Sequence, residues 1–361
     1  MSGNHFHEKA FDEGTLTKLE IFQLYTREWL PVFLSREPDR LQSVHLFDFF
    51  SGPGTDANGE LGSPLRTLSV LREYSQNPIL RAWGKVKIVA HFSDTTLWKA
   101  KQLKETVESQ EWTVPGVETT TNRAEFSDAF ATNEPILRDG YAAKLLLMDQ
   151  FGVSQVTPEI FLKLVSFPRT DFLFFISSAT LQRFHDHQAI RHKIEPANDF
   201  NQVHHAVLNY YRDLLPTGKR YYLAPFSIKK GSNIYGIIFG SAHPLGMDKF
   251  LTVAWNKDRL NGTANFDINR DSLNPDAPML DLGPITNPSK LNVFEEDLEK
   301  RLRAKSLPDE IAVMEVCYQH GVMRRHSAPV LQRLKKEGVI KCDFQSPTLD
   351  HLKEPRSVFY P

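Results

Sequence analysis

Residues 220–240 read RYYLAPFSIKKGSNIYGIIFG, two apolar runs (220–226 and 234–240) joined through the turn Lys229-Lys230-Gly231-Ser232-Asn233. So short a connection admits only antiparallel pairing, because parallel strands need a crossover of a dozen residues or more. The chain before it follows a different rule. Strand-like runs at 44–50, 86–92, 117–121, 144–149 and 171–176 alternate with helical patterns at 64–73, 95–108, 126–137 and 158–165. Such alternation specifies right-handed crossovers and a parallel sheet covered on both faces. An amphipathic helix at 15–34, with Leu16, Leu19, Phe22, Trp29 and Phe33 at helical intervals, precedes the first strand and is placed to cover one side of the sheet. Two more helical segments, 180–190 and 200–215, lead into the hairpin. The expected fold class is therefore α/β, a Rossmann-like parallel sheet ending in an antiparallel hairpin.

Residues 261–290 are rich in Asn, Asp, Pro and Gly without a sustained period and read as a linker. They divide the chain into a domain at 1–260 and a second at 291–361. In the second, helices are expected at 293–303, 309–320 and 327–337, the last with Ser327 as N-cap and Gly338 beyond its end. Residues 339–344 then read as a strand opening a wing, and the whole as a small winged helix-turn-helix domain. Between Val316 and Lys341 six basic residues, Arg324, Arg325, Arg333, Lys335, Lys336 and Lys341, face one acidic residue, Glu337. A basic second helix and wing is a duplex-binding arrangement, with Arg324, Arg325, Lys335, Lys336 and Lys341 as phosphate contacts. The same surface also suits a protein-interaction module with a solvated basic face.

The 361 residues are 41% hydrophobic and 24% charged, the make-up of a globular chain, and a net charge of −1 confines any polyanion binding to a local patch. Cys317 and Cys342 are far apart and without CxxC spacing, which argues against structural zinc and secreted disulfides and fits a reducing, cytoplasmic setting. No apolar run approaches a membrane span, and the N-terminus has no signal-peptide core, so no membrane partner is expected.

The first strand ends in Asp48-Phe-Phe-Ser-Gly-Pro-Gly54. Glycines at such a turn let backbone approach a ligand, and an acidic residue at the strand end accepts hydrogen bonds from it; the alternative is a tight turn that needs glycine for its own geometry. The second strand leads to Asp94, placed either to bind ribose hydroxyls or to cap the following helix. After the third strand, Glu125 or Asn122 is placed to contact an adenine edge. The fourth ends in Met148-Asp149-Gln150-Phe151-Gly152. There Asp149 would accept a hydrogen bond from a target amine and Phe151 stack on a planar acceptor, or Asp149 would end the strand and Phe151 pack under the next loop. Asp48, Asp94 and Asp149 all end parallel strands, so they are expected to converge on one crevice. His185, His187, His192, His204 and His205 form no recognised ligand set, and no metal is expected.

A parallel sheet closed by an antiparallel hairpin is the plan of S-adenosylmethionine-dependent methyltransferases, in which Asp48, Ser51, Gly52 and Gly54 would hold the methionine end. The chain further resembles the three-Cys-motif partner proteins of bacteria, which pair a methyltransferase-like domain with a small winged helix. The resemblance covers most of the chain. It is carried by Thr17-Lys18, Glu28-Trp-Leu-Pro31, Asp48–Gly54, Gly62-Ser-Pro-Leu65, Asp149–Gly152 and Pro225-Phe226. It implies a three-Cys-motif, radical-enzyme-like protein as partner. Where that family reads Asp-Pro-Phe-Gly, Gln150 replaces the proline that would fix the backbone beside the acceptor. Three readings follow: a methyltransferase acting on a nucleic acid or nucleoside-like amine, with the winged helix as targeting arm; a non-catalytic scaffold for DNA or for the partner; and, least supported, a nuclease-like module using its carboxylates for a metal.

Overall fold

Seven strands form one sheet in the order β3-β2-β1-β4-β5-β7-β6. A computed structural model describes residues 10–38, 40–149, 156–177, 203–230, 233–266 and 289–361. In chain order its first elements are α1 (Glu13–Leu34), β1 (Ser43–Asp48), α2 (Ser63–Ser75), β2 (Lys87–Asp94), α3 (Leu97–Val107), β3 (Val117–Arg123), α4 (Phe126–Arg138) and β4 (Ala142–Met148). α5 (Pro158–Ser166), β5 (Thr170–Ser177), α6 (Val203–Asp213), β6 (Tyr222–Lys230) and β7 (Asn233–Ser241) complete the sheet and its cover. Strands β1 to β5 pair in parallel, and β7 runs antiparallel to both β5 and β6. This is the Rossmann-like methyltransferase fold expected from the alternation and the hairpin. The segment 180–190, read as a helix, lies outside the described residues.

β4 shows why the sheet is a core element: every residue of AAKLLLM is buried, as a central parallel strand with helices on both faces requires. Its one polar residue, Lys144, donates to the carbonyl of Asp139 at 2.6 Å, and burial lowers its pKa to about 8. One face of the sheet carries an aromatic cluster that includes Phe47, Phe126, Phe130, Phe161, Phe172 and Tyr211. The other lies under α1, whose N-cap Asp12 accepts from the N–H of Thr15. There the Tyr25 ring meets Phe239 edge-on at 5.0 Å, and its hydroxyl donates to buried Asp171 at 2.6 Å. α1 thus covers one side of the sheet, as its pattern predicts.

By contacts the chain divides into units Met1–Gly246 and Met247–Pro361, a division that falls before the residue-260 boundary read from the sequence. The second unit contains α7 (Pro244–Lys257, most of whose length lies in it), α8 (Lys290–Arg303), α9 (Glu310–Gln319), a 3₁₀ turn (Arg324–Ser327) and α10 (Ala328–Lys336). α7 belongs with this unit because Asp248 holds Arg324 and the Trp255 indole donates to the carbonyl of Gly321 at 3.1 Å. Ser327 is not a side-chain cap: its hydroxyl donates back to the carbonyl of Arg324 at 2.8 Å. Within the stretch read as a strand at 339–344, pairing is limited to an isolated bridge, Lys341 to Phe359, in which the two residues exchange both backbone hydrogen bonds.

The Tyr25–Asp171 bond ties α1 to the sheet, and burial raises the Asp171 pKa to about 6. Tyr25→Phe leaves that carboxyl short of a donor, so we expect a loss of about 1–3 kcal/mol, read as a lower urea midpoint with an unchanged slope.

Candidate functional site

The order of the sheet reverses at β1, whose neighbours are β2 on one side and β4 on the other. The C-terminal ends of β1 and β4 flank this reversal, the place where open α/β sheets bind ligands. The register places the end of β1, Asp48, beside Phe92 of β2 and Leu147 of β4, so Asp94 and Asp149 follow at the same edge.

The turn after β1 is braced from β2. Ser51 donates its N–H to the carbonyl of Ser93 at 3.0 Å and its hydroxyl to the carbonyl of Asp48 at 2.8 Å; the same hydroxyl accepts from the N–H of Ser93 at 3.0 Å. Asp94 accepts from the N–H of Gly52 at 3.1 Å through one oxygen and from that of Thr96 at 2.8 Å through the other. The N-cap of α3 is Thr96 rather than Asp94, so Asp94 shapes the turn instead of capping the helix. Gly52 and Gly54 take φ values of +64° and +101°, a region that side-chain-bearing residues rarely adopt, and glycine is what lets the chain turn this sharply. The N–H of Gly62 then donates to the carbonyl of Gly54 at 2.7 Å, closing the loop just before α2.

Asp48 is buried, with one oxygen accepting from the N–H of Phe50 at 3.1 Å; no hydrogen bond of normal geometry reaches the other, although the Ser63 hydroxyl is close enough to favour the charged carboxylate. Its pKa is raised to about 7, chiefly by burial and further by the like charges of Asp149 and Asp94, against the opposing pull of the Ser63 hydroxyl and the Phe50 N–H. The three carboxylates predicted to converge therefore act on one another. Asp149 carries an ion pair with Lys18 of α1, whose ammonium also stands 4.7 Å from the centroid of the Phe175 ring.

The structure brings Asp48, Ser51, Gly52, Gly54 and Asp94 into one network, with Asp149 beside it. Glu125 is exposed at the N-cap of α4 and makes no side-chain cap bond. Phe151 and Gln150 lie outside the described residues, as do His185, His187 and His192. In the second unit Arg324 is committed, its guanidinium donating twice to Asp248, at 2.9 and 2.8 Å, and once to the carbonyl of Pro347 at 2.7 Å. Lys335 donates to the carbonyl of Phe344 at 2.6 Å, whereas Arg325, Lys336 and Lys341 are exposed. Among the described residues, no group of three or more His, Cys, Asp or Glu is placed to hold a metal ion, and no helix is long and apolar enough to cross a membrane.

Sequence reasoning gave no role to Lys18 or Asp56. Lys18 shares the inner stripe of α1 with Phe22, Tyr25 and Trp29, and a lysine at a core-facing interval was the available signal. Asp56 accepts from the N–H groups of Asn58 and Glu60 at 2.8 and 2.9 Å and so organises the loop between Gly54 and Gly62; nothing in its spacing marked it.

No protein-family model matches the chain, and no curated protein matches it. Solved structures similar to it include WbdD, with a TM-score of 0.34 and 13% identity over 67% of this chain and 43% of that one. The human methyltransferase 10 domain containing protein gives 0.27 and 10%, over 62% and 83% of the two chains. The putative methyltransferase yhhF from Escherichia coli gives 0.26 and 14%, over 60% and 86%. The chain thus spans less than half the length of WbdD. Superpositions this loose add nothing to the strand order, which by itself defines the fold.

The raised Asp48 pKa has a measurable consequence. The folded protein holds this proton up to about 7, whereas the ordinary value is 3.8. The resulting stabilisation is complete below the lower value and is lost as the pH rises through the upper one. Asp48→Asn removes this dependence, so urea unfolding should show the variant gaining on wild type between about pH 4 and about pH 8. Parallel pH profiles would show that Asp48 is not the buried acid described here.

Proposed function

We propose that the first unit binds S-adenosylmethionine at the β1/β4 reversal and methylates an amine on a nucleic acid or nucleoside-like acceptor. The observation that carries this reading is the buried carboxyl of Asp48, one oxygen of which no hydrogen bond of normal geometry reaches, beside a left-handed glycine turn. A ligand ammonium would satisfy that oxygen and hold the carboxylate ionised. The residues present therefore fit the amino-acid end of the cofactor. Asp48 would bind its ammonium, the turn braced by Ser51 and shaped by Gly52 and Gly54 would follow its backbone, Asp94 would accept from the ribose hydroxyls, and Glu125 would meet the adenine edge. When bound, the cofactor supplies an electrophilic methyl group on a sulfonium. Asp149 would accept a hydrogen bond from the acceptor amine and orient its lone pair, with Phe151 stacking on the acceptor ring.

For the second unit we propose a winged helix, with α9, the 3₁₀ turn and α10 as its helix-turn-helix and the residues around the Lys341–Phe359 bridge as its wing. Its role would be to carry the protein to duplex nucleic acid, with a three-Cys-motif protein as cytoplasmic partner. Because Asp248 engages Arg324, the phosphate contacts are assigned first to Arg325, Lys336 and Lys341. One observation favours the scaffold reading instead: Asp149, the intended acceptor group, is already paired with Lys18. Catalysis then requires that this pair open.

Calorimetric titration tests the cofactor site. S-adenosylhomocysteine should bind wild type and Asp149→Ala alike but bind Asp48→Ala weakly or not at all, while Asp149→Ala abolishes transfer. No heat with wild type at high-micromolar ligand would remove the methyltransferase reading. For the winged helix, removing Arg325, Lys336 or Lys341 should each lower duplex affinity and reduce the log–log salt slope by about one. Duplex binding that is absent or insensitive to salt would contradict the assignment.

A further inference from the structure

Lys18 is a charged residue where the helix calls for an apolar one. It lies on the stripe of α1 that also carries Phe22, Tyr25 and Trp29, all buried, and its side chain is 7% exposed. A buried ammonium needs compensation, and two groups supply it: the carboxylate of Asp149, 19% exposed, and the face of Phe175. Phe175 is stacked in turn on Tyr235, with centroids 5.2 Å apart and planes 15° from parallel. The register explains why these four groups meet. Phe175 lies near the C-terminal end of β5, and antiparallel β7 begins at that edge, with Tyr235 opposite Ser177. The ring pair therefore stands on the same edge of the sheet as Asp48, Asp94 and Asp149, and both rings are half-buried.

We infer that Lys18, Asp149, Phe175 and Tyr235 form the acceptor subsite, and that the Lys18 ammonium holds the place of the acceptor's amino group until the acceptor displaces it. This rests on the methyltransferase reading above and narrows its substrate. A nitrogen on Asp149 beside an aromatic face describes a flat ring bearing an exocyclic amino group, such as adenine or cytosine. The N–H replaces the ammonium as donor to the carboxylate, and the ring lies along the aromatic pair. Hypoxanthine and uracil, which carry a carbonyl oxygen in place of that amine, would set two acceptors against each other and leave Lys18 where it is. Lys18 acts as a specificity residue through competition, since any acceptor must offer Asp149 a donor good enough to break the ion pair.

The experiment uses the full chain saturated with S-adenosylhomocysteine, titrated with adenosine, cytidine, inosine and uridine. Lys18→Met removes the competitor, so adenosine or cytidine should bind about tenfold more tightly than to wild type, the factor by which the paired state withholds the site. Inosine and uridine should not gain, and adding Phe175→Leu should cancel the gain. In wild type, the rate at which Lys18 is acylated, read by peptide mass spectrometry, should rise several-fold with adenosine or cytidine and stay constant with inosine or uridine; this readout stands even if Lys18→Met does not fold. Unchanged affinity together with unchanged labelling, or equal effects from the aminated and deaminated nucleosides, would overturn the proposal. Failure of S-adenosylhomocysteine to bind at all would overturn the methyltransferase reading beneath it.

Discussion

The reversal of strand order at β1 is the constraint on which the rest of the first unit depends. Right-handed crossovers carry the chain outward from β1 through β2 to β3, and α4 then returns it to the far side of β1 as β4. The helices that precede the return and those that follow it are thereby sent to opposite faces of the sheet. The aromatic cluster of α4, α5 and α6 fills one face, and α1 covers part of the other. At the reversal no crossover bridges the neighbouring strand ends, so a crevice opens beside Asp48. The hydrogen bonds of Ser51 and Asp94 turn that opening into a fixed loop by locking the end of β1 to the end of β2.

Burying an acid with no cation beside it at this point is costly, and the structure shows how the cost is met. Asp48 stays protonated to about 7 because burial and two neighbouring carboxylates oppose its charge. A carboxyl held near neutrality is a poor structural element and a good receptor for a cation, since an arriving ammonium is desolvated against a group that it also ionises. Asp149 answers the same pressure differently, by pairing with Lys18. Of these two carboxyls near the same reversal, burial holds the first in its protonated form, and the second is paired from within the chain.

Strand alternation and the close pairing at 220–240 made the parallel sheet and its antiparallel finish legible, since period and connection length are local properties of sequence. Asp48, Asp94 and Asp149 were legible for the same reason: each ends a strand. Whether Asp94 would cap a helix or brace a loop was not, because both roles use the same residue at the same place, and only the position of Gly52 decides between them. The position of Lys18 on the core-facing stripe was legible, but its pairing with Asp149 was not, because the two are 131 positions apart. The commitment of Arg324 to Asp248 was hidden likewise, since a basic cluster read along the chain does not reveal which members already have a partner. The helix Pro244–Lys257 went unread, and with it the boundary between the units.

On the methyltransferase reading, Asp48 is a protonated receptor for the ammonium of the cofactor. Carbon-13 NMR of the Asp48 side-chain carboxyl, followed through a pH titration with and without S-adenosylhomocysteine, tests it directly. Without ligand the titration should centre near 7, and with saturating ligand it should move well down into the ordinary carboxylate range as the ammonium stabilises the charge. A free carboxyl that titrates near 3.8, or a raised value that saturating ligand leaves in place, would contradict the account.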